Sequence, residues 1–209
     1  MIETPTKEMV AGYKSGKYWS KRSDLIYYKY VDYMIRVLAR DSNSLIDVGT
    51  GNCPYLEWWN WINVRKSIDI VAPYSSGEVE GITANILDHK FETIYDVCTC
   101  LQVLEHIPEP GPFAKRLFEV GKTVVISVPY GWPKGKTKGH VQDPVTEDKL
   151  KEWTGREPTY SCVATEPFKK THDQRLISVY LRDDTPDWKQ KIENRIVREI
   201  GVIDTSQIA

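Results

Sequence analysis

The sequence predicts an α/β fold: a doubly wound, mostly parallel sheet closed by an antiparallel strand pair, with helices on both faces. Three observations lead there. Short apolar runs of strand type alternate with helical windows from about residue 24 to residue 130, an order that makes crossover connections and a parallel sheet. The first apolar run stops at a glycine turn, Gly49-Thr50-Gly51. Beyond Pro129, two more strand windows are separated only by the turn-like stretch 166–174, so they can pair antiparallel.

Each element has its own signal. Residues 24–40 carry Leu25, Ile26, Tyr30, Tyr33, Met34, Val37 and Leu38 at helical spacing, with charges between them. Ser44–Val48 is a buried strand. Pro54 to Asn63, rich in Trp and Leu, reads as a helix with Pro in its first turn. Strands are expected at 67–71, weakly at 81–84, at 95–101 and at 123–129, with a helix over 112–120. The stretch 130–143 reads as a long loop, followed by a short helix at 146–153, strands at 160–165 and 176–181, and an amphipathic tail helix at 188–200. The implied organisation is one domain over 1–185, made of an N-terminal helical lid (1–42), a core (43–130) and a substrate loop with the last strands (131–185), then the tail 186–209.

Composition narrows the function. The chain has 209 residues, with 28 basic and 29 acidic side chains and a formal charge of −1. That balance argues against holding nucleic acid by bulk charge, which needs many cations on one face. No run approaches the about 20 apolar residues that span a bilayer, and residues 1–17 show no signal-peptide core. The four cysteines, at 53, 98, 100 and 162, match neither a redox pair nor a zinc knuckle. Free thiols in a reducing cytosol are the plain expectation.

In an open parallel sheet, ligands bind beyond the carboxyl ends of the strands. Asp47, Gly49 and Gly51 stand at the end of the first strand, and Asp69 stands on the second, where a carboxylate can accept both hydroxyls of a ribose. A dinucleotide site would want a third glycine where Pro54 stands. A ligand with a ribose but no pyrophosphate fits better.

Asp47-Val48-Gly49-Thr50-Gly51-Asn52, an acid closing the second strand, and Leu101-Gln102-Val103-Leu104-Glu105-His106-Ile107-Pro108 after the fourth together resemble the class I S-adenosylmethionine-dependent methyltransferases, small-molecule type. The likeness covers roughly residues 43–130 and implies a Rossmann-like domain with S-adenosylmethionine as cofactor. Carried over position by position, it implies that Asp47, Gly49 and Gly51 line the methionine moiety, with Asp47 acting partly through water. Asp69 would hold the ribose hydroxyls. Asn85 and Ile86 would meet the adenine, and Leu101 and Gln102 would flank the methionine carboxylate and the sulfonium. Cys53 stands where the family usually has another glycine. Glu105-His106 tempts a metal or acid–base reading, but in this family the segment mostly starts a helix beside the cofactor; packing is its expected role, and no metal site is expected.

Methyl transfer is an in-line displacement, and a hydroxyl acceptor often needs a base. His140, in Lys138-Gly139-His140-Val141-Gln142-Asp143, is the base candidate, with a loop tether as its equal alternative. Tyr130 is a second catalytic candidate or plain pocket wall. Lys134, Lys136 and Lys138 can receive a phosphate or carboxylate of an anionic substrate, or simply solubilise a loop. Tyr13, Tyr18, Trp19 and Tyr27–Tyr30 can form a lid, a core face or a dimer contact; Trp58, Trp59 and Trp61 are expected to pack.

Three readings follow. The first is O-methylation of a sugar, nucleotide sugar or other small polar metabolite by a cytoplasmic enzyme. The second is N-methylation of protein or nucleic acid, although the Asn/Asp-Pro-Pro-Tyr/Phe signature of base methylation is absent at Leu101-Gln102-Val103-Leu104. The third is a catalytically silent binding subunit, which Cys53 and Asn85 keep open. No membrane contact is expected, and self-association through the tail helix is left undecided.

Overall fold

The computed structural model describes residue 11, residues 15–167 and residues 173–182. Seven strands form one sheet: β1 (Ser44–Val48), β2 (Val64–Asp69), β3 (Glu80–Thr83), β4 (Tyr95–Leu101), β5 (Gly121–Pro129), β6 (Tyr160–Thr165) and β7 (Gln174–Leu181). Their spatial order is β3-β2-β1-β4-β5-β7-β6. The first five run parallel, while β7 lies antiparallel to both β5 and β6. The strand order reverses between β1 and β4, which is where ligand crevices open in such sheets.

Alternation along the strands builds a core on each face. Leu45, Val97, Val125 and Ile177 point to the side covered by α1 (Ile26–Leu38). Ile46, Cys98, Cys100, Val124 and Ile126 point to the side covered by α2 (Pro110–Val120) and α3 (Glu147–Thr154). Cys98 and Cys100 thus share a face, as their spacing predicts. Most of these side chains are fully buried, each contributing roughly 1.5–3 kcal/mol.

The helix signals are local. α1 buries Tyr27, Tyr28, Val31, Met34, Ile35, Val37 and Leu38 along one stripe. α2 opens on Pro110, whose missing N–H is no loss in a first turn. α3 is capped by Thr146, whose side chain accepts from Lys149 N at 3.3 Å, and is stopped by Gly155 at φ 68°.

Two elements differ from expectation. The segment after Cys53 is a short 3-10 helix, Pro54–Trp59, rather than an α-helix to residue 63. The chain must already be extended at Val64, which pairs with Ser44, so no room remains for further turns. β2 also starts earlier than expected, with Arg65 buried and partly satisfied: its Nη1 donates to the Leu56 carbonyl at 3.2 Å and lies 3.5 Å from Glu57. A charged residue inside a strand hides the strand from an apolar search.

The aromatic segment packs in part. Trp19, Tyr28, Tyr55 and Trp58 form a ring cluster with centroids 5.1–6.5 Å apart. Trp59 is buried and donates to Asp32 at 3.1 Å, and Trp61 donates to the Ala39 carbonyl at 3.1 Å. A single carboxylate ties the start of α1 to β7: Glu166 accepts the Ile26 N–H at 2.9 Å and the Arg175 guanidinium at 3.0 Å, all but buried. Tyr13 and the expected helix at 188–200 lie outside the described residues.

Candidate active site

The turn after β1 sets the first half of the site. Gly49 and Gly51 have φ of +78° and +59°, which a glycine adopts without steric cost. A Cβ on Gly49 would stand 2.4 Å from Val103 Cγ2, so the turn lies directly against the segment following β4. Gly51 N donates to Asp69 Oδ2 at 3.0 Å. The other oxygen of Asp69 accepts from Val71 N at 2.7 Å and Ala72 N at 3.0 Å. The bend and the half-buried carboxylate therefore meet at one place, at the carboxyl ends of β1 and β2.

Asp47 lies beneath that turn with no exposed surface. Its oxygens accept from the Thr99 hydroxyl and, at 2.7 Å, from the Tyr55 hydroxyl. Burial pushes its pKa up to about 6, against the pull of these hydroxyls. In this arrangement Asp47 fixes the turn from below and offers no oxygen to the cleft. Asn85 is also engaged: its Oδ1 accepts from Leu87 N at 3.1 Å and its Nδ2 donates to Asp88 at 2.9 Å, closing a side-chain turn. Ile86 beside it is buried, as is Leu101 at the end of β4.

Gln102 marks the border with the second half. It has φ +59°, rare for a residue with a side chain, and is held there by its N–H to the Ser127 carbonyl at 2.8 Å and its Nε2 to Ser127 Oγ at 3.2 Å. Enforced conformations of this kind cluster at active sites and ligand clamps. Gln102 lines a cavity of about 330 Å³ together with Glu105, His106, Trp132, His140 and, from the N-terminal segment, Arg22 and Tyr27. Of the residues expected to bind cofactor, Gln102 alone lines this cavity; Gly49, Gly51 and Asp69 belong to the turn cluster and stand outside its lining.

The loop 130–145 is folded back to supply the cavity's outer wall. Val141 N donates to the Glu105 carbonyl at 2.9 Å, and Gln142 Nε2 donates to the carbonyls of Ile107 and Pro108 at 2.8 and 3.0 Å. This places the His140 ring parallel to Trp132, with centroids 5.7 Å apart, and edge-on to His106 at 4.7 Å. His140 Nδ1 lies 2.8 Å from Asp143 Oδ2, both side chains nearly buried. His140 is therefore both tethered and inside the cavity. Tyr130 is not brought to it; its ring packs with the core under α2, and its N–H meets the Gln174 carbonyl at 2.9 Å. Lys136 lines the cavity and pairs with Asp173, whereas Lys134 and Lys138 are exposed and outside the lining.

Sequence reasoning misses Asp143, Trp132 and Arg175. Asp143 has a signal, an acid at i, i+3 beside His140. The other two have no local signal, because the backfolded loop and β7 deliver them.

No protein-family model and no curated protein matches the sequence. Solved structures do resemble the fold. The Burkholderia thailandensis 1,6-didemethyltoxoflavin-N1-methyltransferase, with its substrate and S-adenosylhomocysteine bound, superposes at TM-score 0.64 and 16% identity over 82% of this chain and 84% of that one. The N-methyltransferase NodS from Bradyrhizobium japonicum, with S-adenosylhomocysteine, gives 0.59 and 10% over 82% and 98%. The plantazolicin methyltransferase BpumL, with a desmethyl analogue and S-adenosylhomocysteine, gives 0.56 and 13% over 84% and 98%. The chain has the fold of the class I S-adenosylmethionine-dependent methyltransferases.

Proposed function

We propose that this protein is an S-adenosylmethionine-dependent methyltransferase that O-methylates a sugar, a nucleotide sugar or another small polar metabolite. The observation that carries the reading is the seating of a carboxylate-oriented histidine, His140 on Asp143, in a cavity bordered by the strained Gln102 at the end of β4.

The residues present fit the cofactor. The turn at 49–51 has no Cβ at its two glycines, and Asp69 offers a half-buried carboxylate beside it. S-adenosylmethionine, when bound, supplies a methyl group activated on a sulfonium. Asp69 would accept the ribose hydroxyls, Gly49 and Gly51 would let the backbone approach, and Asn85 with Ile86 would meet the adenine. Leu101 and Gln102 would border the methionine end. Asp47 supports this cradle from below through Thr99 and Tyr55.

His140 is the residue we assign to activating the acceptor. Its Nδ1–H donates to Asp143, which fixes the tautomer and leaves the Nε2 lone pair for work in the cavity. An amine acceptor would need only to be neutral, so such an arrangement favours a hydroxyl. Lys136 lies at the wall, where an anionic group on the substrate would compete with Asp173 for it. Among the described residues no helix is long and apolar enough to cross a membrane. With four free cysteines, a cytoplasmic location fits.

Calorimetry with S-adenosylmethionine and S-adenosylhomocysteine tests the assignment, followed by methyl transfer to a panel of hydroxylated and aminated metabolites. Cofactor heat with transfer to a hydroxyl supports it. Folded protein with no cofactor heat favours the silent binding subunit, and transfer to amines alone favours N-methylation.

A further inference from the structure

Glu105, His106 and His140 form a cluster of which the proposed methyl transfer uses His140 alone. One ligand atom from each residue lies within 4.8 Å of the other two. Glu105 is 1% exposed, and neither of its carboxylate oxygens has a hydrogen-bond partner among the described residues. A buried carboxylate without a partner is costly and is normally found paired, or coordinating a metal. Four cations line the same cavity, Lys21, Arg22, Lys136 and Arg175, and none hydrogen-bonds to Glu105: Arg175 donates to Glu166, Lys136 pairs with Asp173, and the Arg22 guanidinium lies over the Tyr18 ring.

The two histidines are set up alike. His106 Nδ1 lies 2.9 Å from the Gly139 carbonyl, which can only accept, so Nδ1 carries the proton. His140 Nδ1 donates to the Asp143 carboxylate at 2.8 Å. In each neutral ring the lone pair is therefore on Nε2. A backbone carbonyl behind one imidazole and a carboxylate behind the other is the outer arrangement that orients metal-ligating histidines and raises their basicity.

We propose that Glu105, through its carboxylate, and His106 and His140, through Nε2, bind one divalent transition-metal cation at the cavity wall. Two imidazoles with one carboxylate suit zinc, iron, cobalt or nickel better than magnesium or calcium, which favour all-oxygen sets. Three protein ligands leave positions open to the cavity, as in metal sites that take up a substrate oxygen. The consequence for catalysis rests on the methyl-transfer reading. A substrate hydroxyl bound at an open position sheds its proton more readily to solvent, so His140 acts on the acceptor by holding the cation.

The test uses the full chain after chelator treatment, titrated with cobalt(II) chloride. Binding is read from the visible absorption of the cobalt and by calorimetry, with S-adenosylhomocysteine affinity measured in parallel. The expected result is one cobalt per chain, displaced by zinc. Binding should weaken by about tenfold or more in Glu105→Gln and in His140→Ala, and by about 10–100-fold in Asp143→Asn, which alters only the support of a ligand. Unchanged S-adenosylhomocysteine affinity in each variant reports that it is folded. Wild-type protein that binds S-adenosylhomocysteine but no cobalt overturns the metal site and leaves the methyltransferase reading standing. Cobalt binding that survives Glu105→Gln also overturns it. Cobalt bound with no S-adenosylhomocysteine binding supports the metal site and defeats the methyltransferase reading.

Discussion

The backbone N–H of Gly51 and the carboxylate of Asp69 are joined by a 3.0 Å hydrogen bond, so the turn after β1 and the end of β2 form one unit. The same carboxylate gathers the N–H groups of Val71 and Ala72. A group that already organises three amides is held in one orientation before any ligand arrives, which favours binding by reducing what must be ordered.

Asp69→Ala is expected to weaken S-adenosylhomocysteine binding at least tenfold, roughly 1.4 kcal/mol. The variant loses the anchor of the turn together with the carboxylate we assign to the ribose. Calorimetry that finds wild-type affinity in this variant would remove Asp69 from the cofactor site.

Gly49→Ala should destabilise the fold through two separate causes. The backbone sits at φ +78°, and the new Cβ would lie 2.4 Å from Val103 Cγ2. Enforced left-handed backbone costs on the order of 1–3 kcal/mol. Adding Val103→Ala should recover part of the loss, since it clears the clash and leaves the backbone strain. Urea denaturation of the single and double variants measures this; a double variant no more stable than Gly49→Ala would show that the clash contributes nothing.

Asp47 makes stability depend on pH. Its folded pKa is raised from 3.8 to about 6 by burial, so the folded protein holds more protons than the unfolded chain between those values. Stability from this group is therefore fully present below pH 3.8 and falls as pH rises to about 6. A tenfold difference in proton affinity between the folded and unfolded states is equivalent to about 1.4 kcal/mol. Glu105, raised from 4.5 to about 8 by burial, adds a slope of the same sign. Asp47→Asn should flatten the wild-type curve across the Asp47 window alone, as seen in denaturation midpoints at several pH values; parallel curves for the two proteins would refute the assignment.

His140→Ala should lower turnover by about 100-fold or more, the range for loss of a group that helps remove the acceptor's proton, whether as base or by holding the cation, with S-adenosylhomocysteine affinity within about threefold of wild type, less than 1 kcal/mol. Asp143→Asn should show a smaller loss. Steady-state rates on the identified acceptor, set against calorimetric affinities, separate the two effects. Full activity in His140→Ala across the pH range would reduce the residue to a loop tether.

Much of the fold is legible because its strands are short runs, apolar at the sheet centre and β-branched or aromatic at the edge, between turn residues. β1, β4 and β6 match their sequence windows end to end. β2 is harder to place, since Val64, Arg65 and Lys66 look like a polar connection until the Leu56 carbonyl is seen to accept from the buried guanidinium. The helix expected after Cys53 is shortened for lack of chain, which no residue pattern announces. At the site, the pairing of Gly51 with Asp69 follows from strand order alone. The meeting of Glu105 with His140 does not, because it depends on a loop docked through Val141 and Gln142 onto residues some thirty-five positions earlier.

Glu166 carries a consequence of its own. One oxygen fastens the start of α1, and the other fastens Arg175, which stands over the rings of Tyr27 and Trp132. Ceiling and flank of the cavity hang from a single hinge pin that stands outside its lining. Loosening that pin would let two walls of the cavity shift while the chemical groups inside stayed as they are.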